Sequence, residues 1–171
     1  MSSEPKMEIY VFDYDGTLSD PTHRRHLVGK GPNKNFNKFL KECVNDTPIR
    51  ANLSLFMNLS ALEYCETFIL SGREYSVFDQ SVDWLMRHCN FPESYRDELT
   101  TRLFMRAEKD YRPDEIVKPE LFERLMDHLN WRYGVDRWEI MGVFDDRPKV
   151  VRKWQEMGIY TWDVGQGCAE F

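Results

Sequence analysis

Two aspartates one residue apart, Asp13 and Asp15, close an apolar run in "VFDYDGTLSD", with Gly16 and Thr17 directly behind them. Burying two carboxylates at the end of a hydrophobic segment is costly unless something positive sits with them. Other apolar runs end in similar chemistry. "TFIL" leads into Ser71, Gly72 and Arg73, "IMGVF" into Asp145, Asp146 and Arg147, and the weaker "RLFM" into Arg106. In an open parallel sheet the carboxyl ends of the strands share one edge, where ligands bind. That edge would gather four carboxylates, a serine and several arginines. Aspartate oxygens without clustered histidine or cysteine suit a hard cation, magnesium above all. A hydroxyl and cationic side chains beside such an ion suit a phosphate. Asp13 is then placed to attack phosphorus and form an aspartyl-phosphate. Asp15 is placed to protonate the leaving oxygen and afterwards to activate water. Singly, each segment has a plainer explanation: "DYDG" as a turn, the serine of "SGR" as a helix N-cap, "DDRP" as a loop that starts a helix. Their joint position behind separate strand candidates carries the chemistry.

The elements that must position these residues are short. Strand character is found in 8–12, 67–70, 140–144 and 159–164, and less clearly in 102–105. These runs are bounded by polar residues or glycine and do not alternate cleanly, as expected for strands buried on both faces of a sheet. Helical spacing of apolar residues occupies 33–44, 51–65, 76–89, 119–133 and 147–158 between them. Pro119 and Pro148 suit first-turn positions, and Gly158 suits a helix stop. Alternating strands and helices predict an α/β fold, Rossmann-like and doubly wound around a mostly parallel sheet. Residues 19–51 depart from the alternation. They are polar, punctuated by glycine and proline, and are expected to form a small insertion or cap with one helix.

The bulk properties narrow the classes. The chain has 171 residues and a formal net charge of −6, which fits a single globular domain over 1–171. No apolar run approaches the ~20 residues of a membrane span, and the N-terminus lacks a signal-peptide core. A cytoplasmic protein without a membrane partner is expected. Cys43, Cys65, Cys89 and Cys168 lack paired spacing and read as reduced core thiols. The acidic balance opposes broad nucleic-acid binding but leaves room for a local basic groove. The insertion offers one, with His23, Arg24, Arg25, His26, Lys30, Lys34, Lys38 and Lys41. These are equally the charges of a solvated surface. "GKGPNKN" has its glycines and lysine in the wrong order for a nucleotide-binding P-loop. The tryptophans lie mostly in helix or strand patterns and read as core rather than as base-stacking groups.

Four motifs together resemble those of the haloacid dehalogenase-type phosphatases: "DYDGTLSD", "LSGR", Lys118 in "RPDEIVK", and "FDDR". The wider stretches "FDDRPKVVRKWQEMGI" and "DVGQGCAEF" are similar to the 3′-phosphatase domain of phage polynucleotide kinase and its stand-alone relatives. The resemblance implies Asp13 as nucleophile and Asp15 as general acid/base, with Ser71 and Lys118 on the phosphoryl oxygens. It implies magnesium on Asp13, the main-chain carbonyl of Asp15, and Asp145, with Asp146 nearby. Arg73 and Arg106 match positions that family uses on polynucleotides. Thr17 and Gly72 lie in substrate-binding motifs, and Asp114 would orient the lysine or an arginine. The implied partner is a phosphorylated nucleic-acid end or a nucleotide. A nucleotidase or small-molecule phosphatase is the alternative within the enzyme class. From another class, acidic pair, serine and lysine also suit a phospho-acceptor receiver domain, although such a domain would carry its accepting aspartate where this chain has Ser71.

Overall fold

The computed structural model describes residues 5–28 and 34–165. Five parallel strands form the central sheet: β1 (Met7–Phe12), β4 (Cys65–Glu74), β5 (Leu103–Arg106), β6 (Trp138–Asp145) and β7 (Thr161–Asp163). Their order is β5-β4-β1-β6-β7. The chain thus builds outward from β1 to one side, then returns to β6 and builds to the other. The crevice at that reversal, between β1 and β6, is where open α/β sheets bind ligands.

The alternation of β1 explains why its last four residues, Ile9 to Phe12, are all apolar or aromatic. Ile9 and Val11 pack with α5 (Asp114–Tyr133) and α6 (Pro148–Glu156), through Leu121, Leu125, Val150 and Trp154. Phe12 and Tyr14 point the other way, against α2 (Arg50–Ser60), α3 (Phe78–Cys89) and α4 (Arg96–Arg102). Phe12 lies flat against Phe144, ring centroids 4.4 Å apart, and Phe144 in turn stacks on Trp162 at 4.3 Å. Both faces of the strand are therefore core, as in other parallel sheets. Trp84 and Trp154 are buried, whereas Trp131 projects from α5 with 81% of its surface exposed. Cys43, Cys65 and Cys89 are free and buried; Cys168 lies outside the described residues.

Several boundaries differ from the sequence expectation. Strand β4 continues through Ser71, Gly72 and Arg73, because a bulge after Ser71 lets Glu74 pair again with Arg106 of β5. Helix α5 begins at Asp114, with Pro119 inside it. Pro119 removes only one intrahelical hydrogen bond, and buried Val117, Lys118 and Leu121 hold the helix on the sheet across that gap. Asp114 and Glu115 suit the positive end of the helix dipole. Helix α4 has no counterpart in the sequence expectation. It buries only Leu99 and Arg102, too little to print a clear apolar period.

The insertion is richer than one helix. It contains a two-residue ribbon, β2 (Ser19–Asp20) paired with β3 (Thr47–Pro48). Between them lie a 3-10 helix (Thr22–Leu27), α1 (Phe36–Lys41) and a second 3-10 turn (Glu42–Asn45). No described helix is long and apolar enough to cross a membrane.

Leu125 is fully buried between α5 and the sheet. Leu125→Ala is expected to lower unfolding stability by ~2–5 kcal/mol, read from denaturant unfolding midpoints.

Candidate active site

Register sets the geometry. Phe12 of β1 faces Phe144 of β6, so the next residue of each strand, Asp13 and Asp145, emerges at the same level. The Asp13 amide donates to the Phe144 carbonyl at 2.8 Å. Asp13, Asp145 and Asp146 are buried, and each offers a carboxylate oxygen within 4.8 Å of the others. Lys118, itself buried on α5, places Nζ 2.9 Å from Asp13 and 2.7 Å from Asp145. The Trp154 indole N–H donates to the same Asp145 oxygen at 3.2 Å.

Lys118 and the nearby Arg147 guanidinium do not fully offset the three acids. Burial pushes the Asp13 carboxyl well above the ordinary range; Lys118 pulls it back, and Asp145 and Asp146 push it higher. Burial likewise pushes Asp146 up to about 6, against the pull of Lys118. Burial works against the charge on Lys118, but Asp13, Asp145 and Asp114 hold it protonated, well above an ordinary lysine. Asp146 Oδ1 is buried with no hydrogen-bond partner. A compact, donor-poor set of carboxylate oxygens fits a hard divalent cation such as magnesium.

The loop leaving β1 is tight. The Tyr14 carbonyl accepts from the amides of Leu18 and Ser19 at 2.9 and 3.0 Å. Gly16 stands at φ +89°, and a Cβ there would fall 2.0 Å from Asp146 Oδ2. Only glycine lets this loop cross the acidic cluster. Asp15 turns away from that cluster. Its Oδ1 accepts from Arg73 Nη2 at 2.5 Å and from Arg24 Nη2 at 2.8 Å. Burial raises its proton affinity, yet the two guanidinium groups win and hold the carboxyl well below the usual range.

Arg24 and Arg73 also share Asp46, at 2.7 Å each. Ser19 Oγ donates to Asp46 at 3.1 Å, and Trp84 Nε1 donates to the Asp46 carbonyl at 2.8 Å. Arg73 lies over the Tyr14 ring and Arg24 over the Phe39 ring, at 3.7 and 4.2 Å from their centroids. This buried network joins the insertion to the sheet. Arg24 is therefore a packed ion-pair partner and not a surface grip for phosphates. His23 pairs with Asp46 at 2.9 Å. Lys34, Lys38 and Lys41 are exposed, while Lys30 lies outside the described residues.

A pocket of about 210 Å³ opens beside these groups, lined on its polar side by Asp13, Asp15, Gly72, Arg73, Arg106, Asp114 and Arg147. Asp114 bridges Arg106 and Arg147. A Cβ at Gly72 would stand 2.8 Å from both Asp114 oxygens, so this residue must be small for the bridge to close.

A family model of the polynucleotide kinase PNKP phosphatase domain matches residues 7–168. The chain belongs to this family. It is a phosphatase with a haloacid dehalogenase-like α/β fold. It is also similar to a protein of Autographa californica nuclear polyhedrosis virus described as a "putative bifunctional polynucleotide kinase/RNA ligase", at 30% identity over 163 residues. That match covers 93% of this chain and 20% of the viral protein. A chain in the structure of the Pnkp1/Rnl/Hen1 RNA repair complex superposes with a TM-score of 0.61 at 19% identity, covering 95% of this chain and 45% of that one. The class C acid phosphatase from Bacillus anthracis gives 0.56 at 12% identity, covering 85% and 53%. These two structural likenesses carry the fold alone. The chain spans a fifth of the viral relative and about half of each structural one.

The expected site residues of this phosphatase domain fall in two shells. Asp13, Asp15, Gly72, Arg73, Arg106 and Asp114 line the pocket. Thr17, Ser71, Lys118, Asp145 and Asp146 are buried outside its lining. Ser71 Oγ accepts from the Arg73 amide at 3.1 Å. Thr17 Oγ1 is buried without a hydrogen-bond partner, so its hydroxyl does not fix the loop. Asn52 Nδ2 does that by donating to the Thr17 carbonyl at 2.9 Å. Sequence reasoning put Arg147 on the rim behind the paired aspartates but gave it no role, and only the fold shows it lining the pocket and pairing with Asp114. Sequence reasoning missed Asp46, which carries no motif and is recognisable only by what packs around it. Removing Asp46 leaves two buried guanidinium groups facing Asp15 alone. Asp46→Ala is expected to cost ~3–5 kcal/mol of stability, measured by chemical denaturation.

Proposed function

We propose that this phosphatase removes 3′-phosphates from polynucleotide ends, with magnesium, through an aspartyl-phosphate on Asp13. The observation that carries this is the buried Asp13–Lys118–Asp145 contact at the sheet crevice, opening on a pocket lined by arginines. Membership in a polynucleotide kinase phosphatase family supports the substrate class and sets the receiver-domain alternative aside.

Asp13, Asp145 and Asp146, with the Asp15 carbonyl, would hold the cation. When bound, magnesium supplies charge stabilisation to the phosphoryl oxygens. A carboxylate oxygen of Asp13 attacks phosphorus, and the bond from phosphorus to the 3′-oxygen breaks. Asp15 gives that oxygen its proton. Arg73 and Arg24 favour the ionised form of Asp15, and the phosphate anion arriving beside it raises its proton affinity. In the second half Asp15 takes a proton from water, whose oxygen attacks phosphorus and releases Asp13. Lys118 and the Ser71 hydroxyl are assigned to the phosphoryl oxygens, where positioning and charge supply most of the catalysis. Arg106 and Arg147, braced on Asp114, are assigned to the phosphate and the strand behind it.

The test is phosphate release from a 3′-phosphorylated oligonucleotide, a 5′-phosphorylated one and mononucleotides. The 3′-phosphorylated oligonucleotide is expected to be the preferred substrate, with activity lost in chelator and restored by magnesium. Equal rates on all three would replace this reading with a general nucleotidase. Asp13→Asn is expected to reduce kcat by ~1,000-fold or more, and Lys118→Ala by ~100- to 1,000-fold. Full turnover by Asp13→Asn would remove the nucleophile assignment.

A further inference from the structure

The pocket has a second wall with a different character. Opposite the arginines it is lined by Pro21, Val28, Phe36, Phe39 and Leu40, all from the insertion. Phe36 and Phe39 stack with centroids 6.2 Å apart and planes at 20°. Phe36 also meets Tyr111 edge-on at 6.2 Å. Tyr111 belongs to the loop between β5 and α5, on the body of the domain, so the two rings meet across the junction between insertion and sheet.

Tyr111 is 73% exposed, yet its backbone is held from several directions. Arg106 Nη1 donates to the carbonyls of Asp110 and Arg112, the residues on either side of it, at 2.8 and 2.7 Å. The Lys109 amide donates to Glu74 at 2.9 Å. The Arg112 side chain is tied to Asp110 and Glu120, each at 2.7 Å. The arginine that lines the phosphate side of the pocket thus also fixes the loop that presents an exposed aromatic ring near it. An open aromatic face on a restrained backbone offers contact area at low entropic cost.

We infer that the exposed ring of Tyr111, braced edge-on by Phe36, is a stacking platform for the nucleobase of the terminal, unpaired nucleotide whose phosphate is removed. This inference rests on the polynucleotide reading above and specifies how the end is held. Every base has a π-face, so the platform accepts ends without selecting among bases. The cationic wall takes the phosphate and the Tyr111 ring takes the base, which separates a nucleoside phosphate from a simple phosphate ester.

The experiment uses the full chain and two oligonucleotides with a 3′-phosphate, one ending in a normal nucleoside and one in an abasic sugar. Tyr111→Ala is expected to raise KM on the base-bearing end by ~10-fold, with kcat little changed. Tyr111→Phe keeps the ring and is expected to keep the wild-type KM. The abasic end already lacks the stacking partner, so its KM is expected to be nearly the same in all three proteins. An independent readout is fluorescence of a terminal 2-aminopurine, quenched on binding to wild type and to Tyr111→Phe but not to Tyr111→Ala. A KM that rises equally on both ends, or quenching that survives Tyr111→Ala, overturns the platform. Wild-type inactivity on both 3′-phosphorylated oligonucleotides, with quenching intact, overturns the assigned reaction and leaves the platform standing.

Discussion

Lys118 is the cation on which the acidic crevice depends. It bridges Asp13 and Asp145, and both residues are buried. Without that ammonium, three neighbouring buried acids would repel one another and shed their charge by taking up protons. The geometry that brings the lysine there is global. β1 and β6 align their ends, α5 crosses behind them, and the burial of Val117 and Leu121 on either side of Lys118 fixes its direction. The compensation is still incomplete, since Asp13 and Asp146 keep raised proton affinities. That residual negative charge is what suits the crevice to a metal ion.

A second charged network does for the insertion what Lys118 does for the crevice. Arg24 and Asp46 come from the insertion, Asp15 and Arg73 from the sheet. Ion pairs of this kind contribute little net stability once desolvation is counted, but they are intolerant of losing a member. They tie the insertion to Asp15 and Arg73 through charges supplied from both sides. The same contacts set the ionisation of Asp15, so the pose of the insertion and the proton affinity of the proposed acid/base are coupled.

The pocket between these networks inherits two kinds of wall. One is polar and built from strand ends and the start of α5, with Asp114 linking Arg106 to Arg147. The other is apolar and built from the insertion. Arg106 belongs to both, because it lines the pocket and grips the carbonyls on either side of Tyr111.

Much of this could be read from the chain alone, and the reason is locality. Strand β1 ends abruptly in acids, and β4, β5 and β6 repeat that switch from apolar to functional residues within two or three positions. The α/β alternation, the acids Asp13, Asp15, Asp145 and Asp146, and the helices containing Phe78–Cys89 and Pro148–Glu156 all follow from such short-range patterns. Tertiary structure decided what depends on distant partners. Pro119 suggested a helix start, but packing of Val117 and Lys118 on the sheet carries α5 back to Asp114. Arg24 looked like one more basic residue of a polar loop, and only the folded chain surrounds it with Asp15, Asp46 and Phe39. Asp46 has no local signature, because its partners lie 22 and 27 residues away along the chain. Residue type and short-range order determined which chemistry was on offer; long-range packing determined which charges are spent on one another and which are left facing the pocket.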